Sequence, residues 1–113
     1  MARRSRRSPR RLETARAGAS EQRHTLRLYV TGATARSLRA VSNIKDICER
    51  YLKGRYDLEV VDVYEQPALV RQDQIVAVPT LVRRLPLPVR FLVGDLSMTE
   101  HVLQGLGVVP RVS

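Results

Sequence analysis

The chain has 113 residues, 43% of them hydrophobic, 4% aromatic and none tryptophan, with a net charge of +9 and a single cysteine. That is the length of one domain with a modest aliphatic core. It excludes an intramolecular disulfide or a Cys-x-x-Cys pair and an aromatic platform for stacking single-stranded nucleic acid, and no apolar run reaches the roughly 18 residues of a membrane-spanning helix.

Residues 1–24 hold eight arginines against two glutamates, and Leu12 is their only large aliphatic besides Met1. Such a segment cannot bury enough apolar surface to offset its ordering entropy, so it reads as a disordered Arg-rich leader. A basic arm binds phosphate backbones or anionic surfaces without sequence specificity, and nucleic-acid binding is expected only through it. It lacks the hydrophobic region of a secretory signal, and one unpaired cysteine fits a reducing cytoplasm.

The domain is expected over residues 25–108, with a short tail at 109–113. In TLRLYVTG, Leu26, Leu28 and Val30 alternate with Arg27 and Tyr29, the period of a strand, and Gly32 ends it. A helix follows: Leu38, Val41, Ile44, Cys48 and Tyr51 recur at three and four residues, widened by Ile47 and Leu52, and Gly54 stops it. DLEVVDV is nearly continuous in β-prone residues, as in a strand covered on both faces. Gln66-Pro67 opens a short second helix, although QPALVRQDQIVAV also reads partly as strand. Thr80–Leu85 and Val89–Val93 form an antiparallel pair joined by Pro86-Leu87-Pro88. Ser97-Met98-Thr99-Glu100 has the spacing of a capping box opening a last helix with Val102, Leu103 and Leu106, ended by Gly105 and Gly107. The order β-α-β-α-β-β-α is the thioredoxin-like one, a mixed sheet with helices on both faces.

In redox proteins of that fold the cysteine pair lies between the first strand and first helix, where this chain reads TGATARS, Thr31 to Ser37. Hydroxyls replace a thiolate poorly, and no second thiol resolves a mixed disulfide. Cys48, on the apolar stripe, reads as a packing residue. His24 in the leader and His101 in the last helix belong to no metal-spaced cluster, and no phosphate-binding glycine loop is present. No catalytic residue, cofactor or metal is therefore expected, and the chain does not read as an enzyme. What remains is a binding module, with Arg36, Arg39, Arg83, Arg84 and Arg90 as solvated charges able to face a carboxylate-rich partner.

LRLYVTG, the Ser37-Leu38-Arg39-Ala40 helix start, and above all VVDVYEQPALVRQDQIVAVPTLVRRLPLPVRFLVGDLS closely resemble the KaiB family of circadian clock proteins, over about residues 25–107. The resemblance implies a non-enzymatic regulator that docks on KaiC, a hexameric ATPase and autokinase, in competition with a sensor kinase whose own N-terminal domain is KaiB-like, and that helps to sequester KaiA. It also implies two arrangements of one chain: a ground state of order β-α-β-β-α-α-β, often tetrameric, and a thioredoxin-like monomer that binds KaiC. Two packings coexist only within a few kcal/mol of each other. The implied switching half contains Pro79, Pro86, Pro88 and Gly105, and slow X-Pro isomerisation is a route to slow exchange. Arg36, Arg39, Glu59 and Arg90, on the first helix and the strands, are the partner-binding residues carried over from the resemblance. The chain departs from the family pattern in its leader, in ending VVPRVS rather than in an acidic tail, in Gly105-Leu106-Gly107 for Gly-Leu-Asp, and at Gln74 and Phe91, which stand where Lys and Arg are common. Readings without a ring ATPase are an adaptor acting on a sensor histidine kinase and a nucleic-acid-associated protein using the leader.

Overall fold

Leu26, Leu28 and Val30 face one side of a central strand and Tyr29 the other, and the fold is assembled on those two faces. The computed structural model describes residues 22–109, in the order β1 (His24–Val30), α1 (Ala35–Tyr51), β2 (Tyr56–Asp62), α2 (Pro67–Gln72), β3 (Thr80–Leu85), β4 (Arg90–Val93) and α3 (Thr99–Leu106). This is the thioredoxin-like arrangement and not the ground-state alternative. Apart from residues 22–24 and 109, the leader and tail expected from the sequence lie outside the described residues. No helix among the described residues is long and apolar enough to cross a membrane.

The sheet runs β2-β1-β3-β4, with β1 parallel to β2 and antiparallel to β3, and β4 antiparallel to β3. One face carries the main core: Leu26 and Leu28, joined by Leu81 and Leu92, pack with Ile44, Ile47, Cys48 and Leu52 of the α1 region and Val102, Leu103 and Leu106 of α3. On the other face Tyr29, Val61 and Val82 meet Leu69, Val70 and Ile75 from α2 and the turn after it. Helices on both faces cover the β1–β3 centre and leave the outer strands partly open.

β1 begins at His24, one residue before the expected domain start, because the buried imidazole has a partner: Nε2 donates to the Leu106 carbonyl at 2.9 Å. The buried side of α1 is Ser37, Ala40, Ile44, Ile47 and Cys48, with Val41 and Tyr51 packed against the core, so the expected stripe holds except at Leu38. Leu38 is 56% exposed, because small Ser37 and Ala40 let the helix sit close to the sheet and turn Leu38 outward. β2 is an edge strand rather than a doubly covered one; Val60 is 41% exposed and only Val61 is buried. α2 starts at Pro67 as expected, and the segment after it turns without forming a strand.

The capping box does not form. Met98 is the N-cap of α3 and makes no side-chain cap bond, while the Ser97 amide is taken up by Asp95 Oδ1 at 3.1 Å. Gly107, at φ 74°, is the left-handed cap of α3. Gly105 does not end the helix but lies inside it, where a Cβ would stand 2.4 Å from Leu92 Cδ2. Glycine there lets α3 approach β4.

Candidate docking surface

The turn between β1 and α1 is closed by its own hydroxyls. Thr34 Oγ1 accepts from the Ser37 amide at 3.2 Å and caps α1. Buried Ser37 Oγ accepts in turn from the Thr31 amide at 3.0 Å. Asp62 at the end of β2 accepts from the Gly32 amide at 3.1 Å and the Tyr64 amide at 2.8 Å, tying the neighbouring loops together. The polar atoms of Thr31–Ser37 named here thus serve backbone capping. Cys48 is fully buried, and burial, with a smaller push from Glu49, raises its thiol to about 12, so it carries almost no thiolate at neutral pH.

The exposed outer side of α1 starts immediately after this turn. Arg36 and Arg39 are neighbours one helical turn apart, and exposed Leu38 stands on the outer side of the helix beyond Arg39. Arg39 Nε donates to Asp95 Oδ2 at 3.2 Å and Asn43 Nδ2 to the Asp95 carbonyl at 2.8 Å, fixing α1 to the loop after β4. The hydrogen bonds of Ser97 and the Arg39 guanidinium hold the Asp95 carboxyl below the usual range. An apolar centre with a polar rim is the anatomy of a protein interface. Helical periodicity places Leu38 in the core, whereas the structure exposes it.

The other carried-over residues lie apart. Glu59, on edge strand β2, accepts from Arg27 Nε at 3.0 Å on the α2 side of the sheet. Arg90, exposed on β4 at the opposite edge, pairs in register with Arg83 on the α3 side. The structure therefore brings Arg36 and Arg39 together and separates Glu59 from Arg90. Arg83 is not a solvated charge: it is buried and donates to the carbonyls of Leu106 at 3.0 Å, Gly105 at 3.4 Å and Pro88 at 2.7 Å, closing the C-terminal end of α3. Arg84 is also engaged, donating to Asp73 Oδ1 at 3.0 Å.

Asp73 is a site that the sequence did not disclose. Standing at the C-cap of α2, its carboxylate accepts from the Tyr29 hydroxyl, from Arg27 at 3.1 Å and from Arg84 at 3.0 Å, and Tyr29 also reaches the Leu69 carbonyl at 3.1 Å. Burial raises the carboxyl, but the Tyr29 hydrogen bond and the Arg84 and Arg27 charges outweigh it, so Asp73 ionises below its ordinary range. This clamp fastens α2 to β1 and β3.

The family model described as the KaiB domain matches residues 27–108. The chain is 46% identical over 89 residues to circadian clock protein KaiB3 of Synechocystis sp., covering 79% of this chain and 87% of that one. It is 48% identical over 86 residues to circadian clock oscillator protein KaiB of Synechococcus elongatus, covering 76% and 84%. Among solved structures, the N-terminal domain of Synechococcus elongatus SasA matches with a TM-score of 0.62 at 27% identity, over 76% of this chain and 85% of that one. Mitochondrial thioredoxin 3 of Saccharomyces cerevisiae matches with a TM-score of 0.62 at 12% identity, over 78% and 80%, and speaks for the fold alone.

Proposed function

The chain belongs to the KaiB family, and from that premise we propose that it is a clock-type regulator without catalysis of its own, which docks on a KaiC-type hexameric ATPase in a circadian or related timing or stress pathway of the cytoplasm. The observation that carries this reading is the capped hydroxyl turn at Thr31–Ser37 beside an open helix face: the scaffold is kept, and the position that holds thiols in redox relatives holds groups bound to backbone amides. Leu38 is the apolar anchor, and Arg39, with Arg36 one turn before it, is the charge that faces carboxylates of the partner. Arg90 and Glu59 serve separate edges, so a KaiA-type partner at either edge does not compete for the α1 face.

Reorganisation of the C-terminal half, around Pro79, Pro86, Pro88 and Gly105, into a second arrangement with dimeric or tetrameric assembly belongs to the same reading. In it the thioredoxin-like form binds the ATPase, and the partner draws the chain into that form by preferring it. The division into a disordered leader over 1–24, a domain over 25–108 and a tail over 109–113 is part of the proposal.

A second reading, an adaptor acting on a sensor histidine kinase, is supported by the fold shared with the SasA N-terminal domain. Co-elution separates the two. The full chain is expected to run with a KaiC-type hexamer in the presence of ATP and not with the isolated kinase. Binding to the kinase alone would replace the first reading with the second, and binding to neither would remove both.

A further inference from the structure

β4 ends the sheet and has no neighbouring strand on its outer side among the described residues. Alternate backbone N–H and C=O groups of Arg90–Val93 therefore face outward, the template that an added strand uses. The side chains on the α2 side of this strand are apolar and open: Phe91 is 50% exposed and Val93 63%, continued by half-exposed Val89 in the link before the strand. On the opposite side Arg90 stands in register with Arg83, two like charges directly across the ladder, a destabilising arrangement. The bonds of Arg83 all go to carbonyl oxygens, and Arg90 forms no ion pair among the described residues. Positive charge on one side and an apolar stripe on the other define what fits.

The contrasting edge shows how this chain closes a strand. On β2, Asp57 is paired with Arg23 at 2.8 Å and Glu59 with Arg27 at 3.0 Å. That edge is bordered by matched charges; β4 is bordered by an unmatched one.

We propose that the free edge of β4 accepts an extended segment of another protein as a fifth strand, one in which aliphatic residues alternate with acidic ones. The aliphatic side chains lie over Phe91 and Val93, and a carboxylate lies beside Arg90 and relieves the Arg83–Arg90 repulsion. A second copy of this chain fits less well, since β4 beside β4 brings further arginines to the same side. This surface stands independently of what docks on α1.

The test is amide hydrogen exchange on the full chain with two probes, a capped peptide of alternating glutamate and valine and its lysine–valine counterpart. The glutamate peptide is expected to slow exchange at the outward amides of β4 by about tenfold or more, leaving β2 unchanged. In Arg90→Glu, an exposed change that leaves the core intact, the preference passes to the lysine peptide. Protection at β2 instead, equal protection by both peptides in both proteins, or none by either, overturns the proposal. Protection of β4 that grows with protein concentration without peptide also overturns it, by assigning the edge to a second copy.

Discussion

Asp73 and Tyr29 are 44 residues apart in sequence, yet their hydrogen bond, with Arg27 and Arg84 around it, joins three elements. Asp73→Asn keeps the shape and removes the charge. It is expected to lower stability at pH 7 by about 1–3 kcal/mol, the range for charge-assisted bonds, toward the lower end because Arg84 is partly open to solvent. The folded carboxyl ionises below the usual 3.8, so its contribution is complete above that value and is lost as pH falls through the lower folded value. Urea midpoints of the two proteins should therefore differ at pH 7 and converge as pH falls through the lowered folded value; a difference that stayed constant on acidification would contradict the clamp. Cys48 supplies a second residue-scale test. Its thiol, pushed up to about 12 by burial, should resist an aromatic disulfide reagent at pH 8 until the protein is unfolded in urea; rapid labelling of the native chain would refute its burial.

At the scale of elements, Gly105 joins α3 to β4. A Cβ at that position would lie 2.4 Å from Leu92 Cδ2 and 3.0 Å from Cγ, and Leu92 is itself buried. Gly105→Val is expected to lower the denaturation midpoint by an amount equivalent to about 1–3 kcal/mol through overpacking, despite the better helix propensity of the new residue; an unchanged or raised midpoint would show that α3 does not pack this closely. These elements differ in how far the sequence disclosed them. The alternation in LRLYV and the proline at the start of α2 are local signals, and both appear where expected. The stripe of α1 also lies where expected from Val41 to Leu52, and Leu38 alone departs from it, because periodicity cannot tell that Ser37 and Ala40 win the close side by being small. The capping box failed because Asp95 claims the Ser97 amide first. The exposure of Leu38 depends on that close packing of α1, and the Asp73 clamp depends on contacts across the sheet that no window of sequence contains.

For the whole molecule, a net charge of +9 says little about where a partner lands, because the positive groups have been given different work. Arg83 closes a helix, Arg27 and Arg84 hold α2, and Arg23 borders β2. The α1 face is different in kind: exposed Leu38 and Arg39 share the outer side of the helix, with Arg39 rooted on Asp95. If that face docks on the ring ATPase, removing the apolar anchor should weaken binding without loosening the fold. The most direct measurement is an equilibrium titration of the full chain and of Leu38→Asp against a KaiC-type hexamer with ATP. The account predicts binding by the parent chain and a loss of about tenfold or more in the variant, at unchanged thermal midpoint. Equal affinities, or no binding by the parent chain, would contradict it.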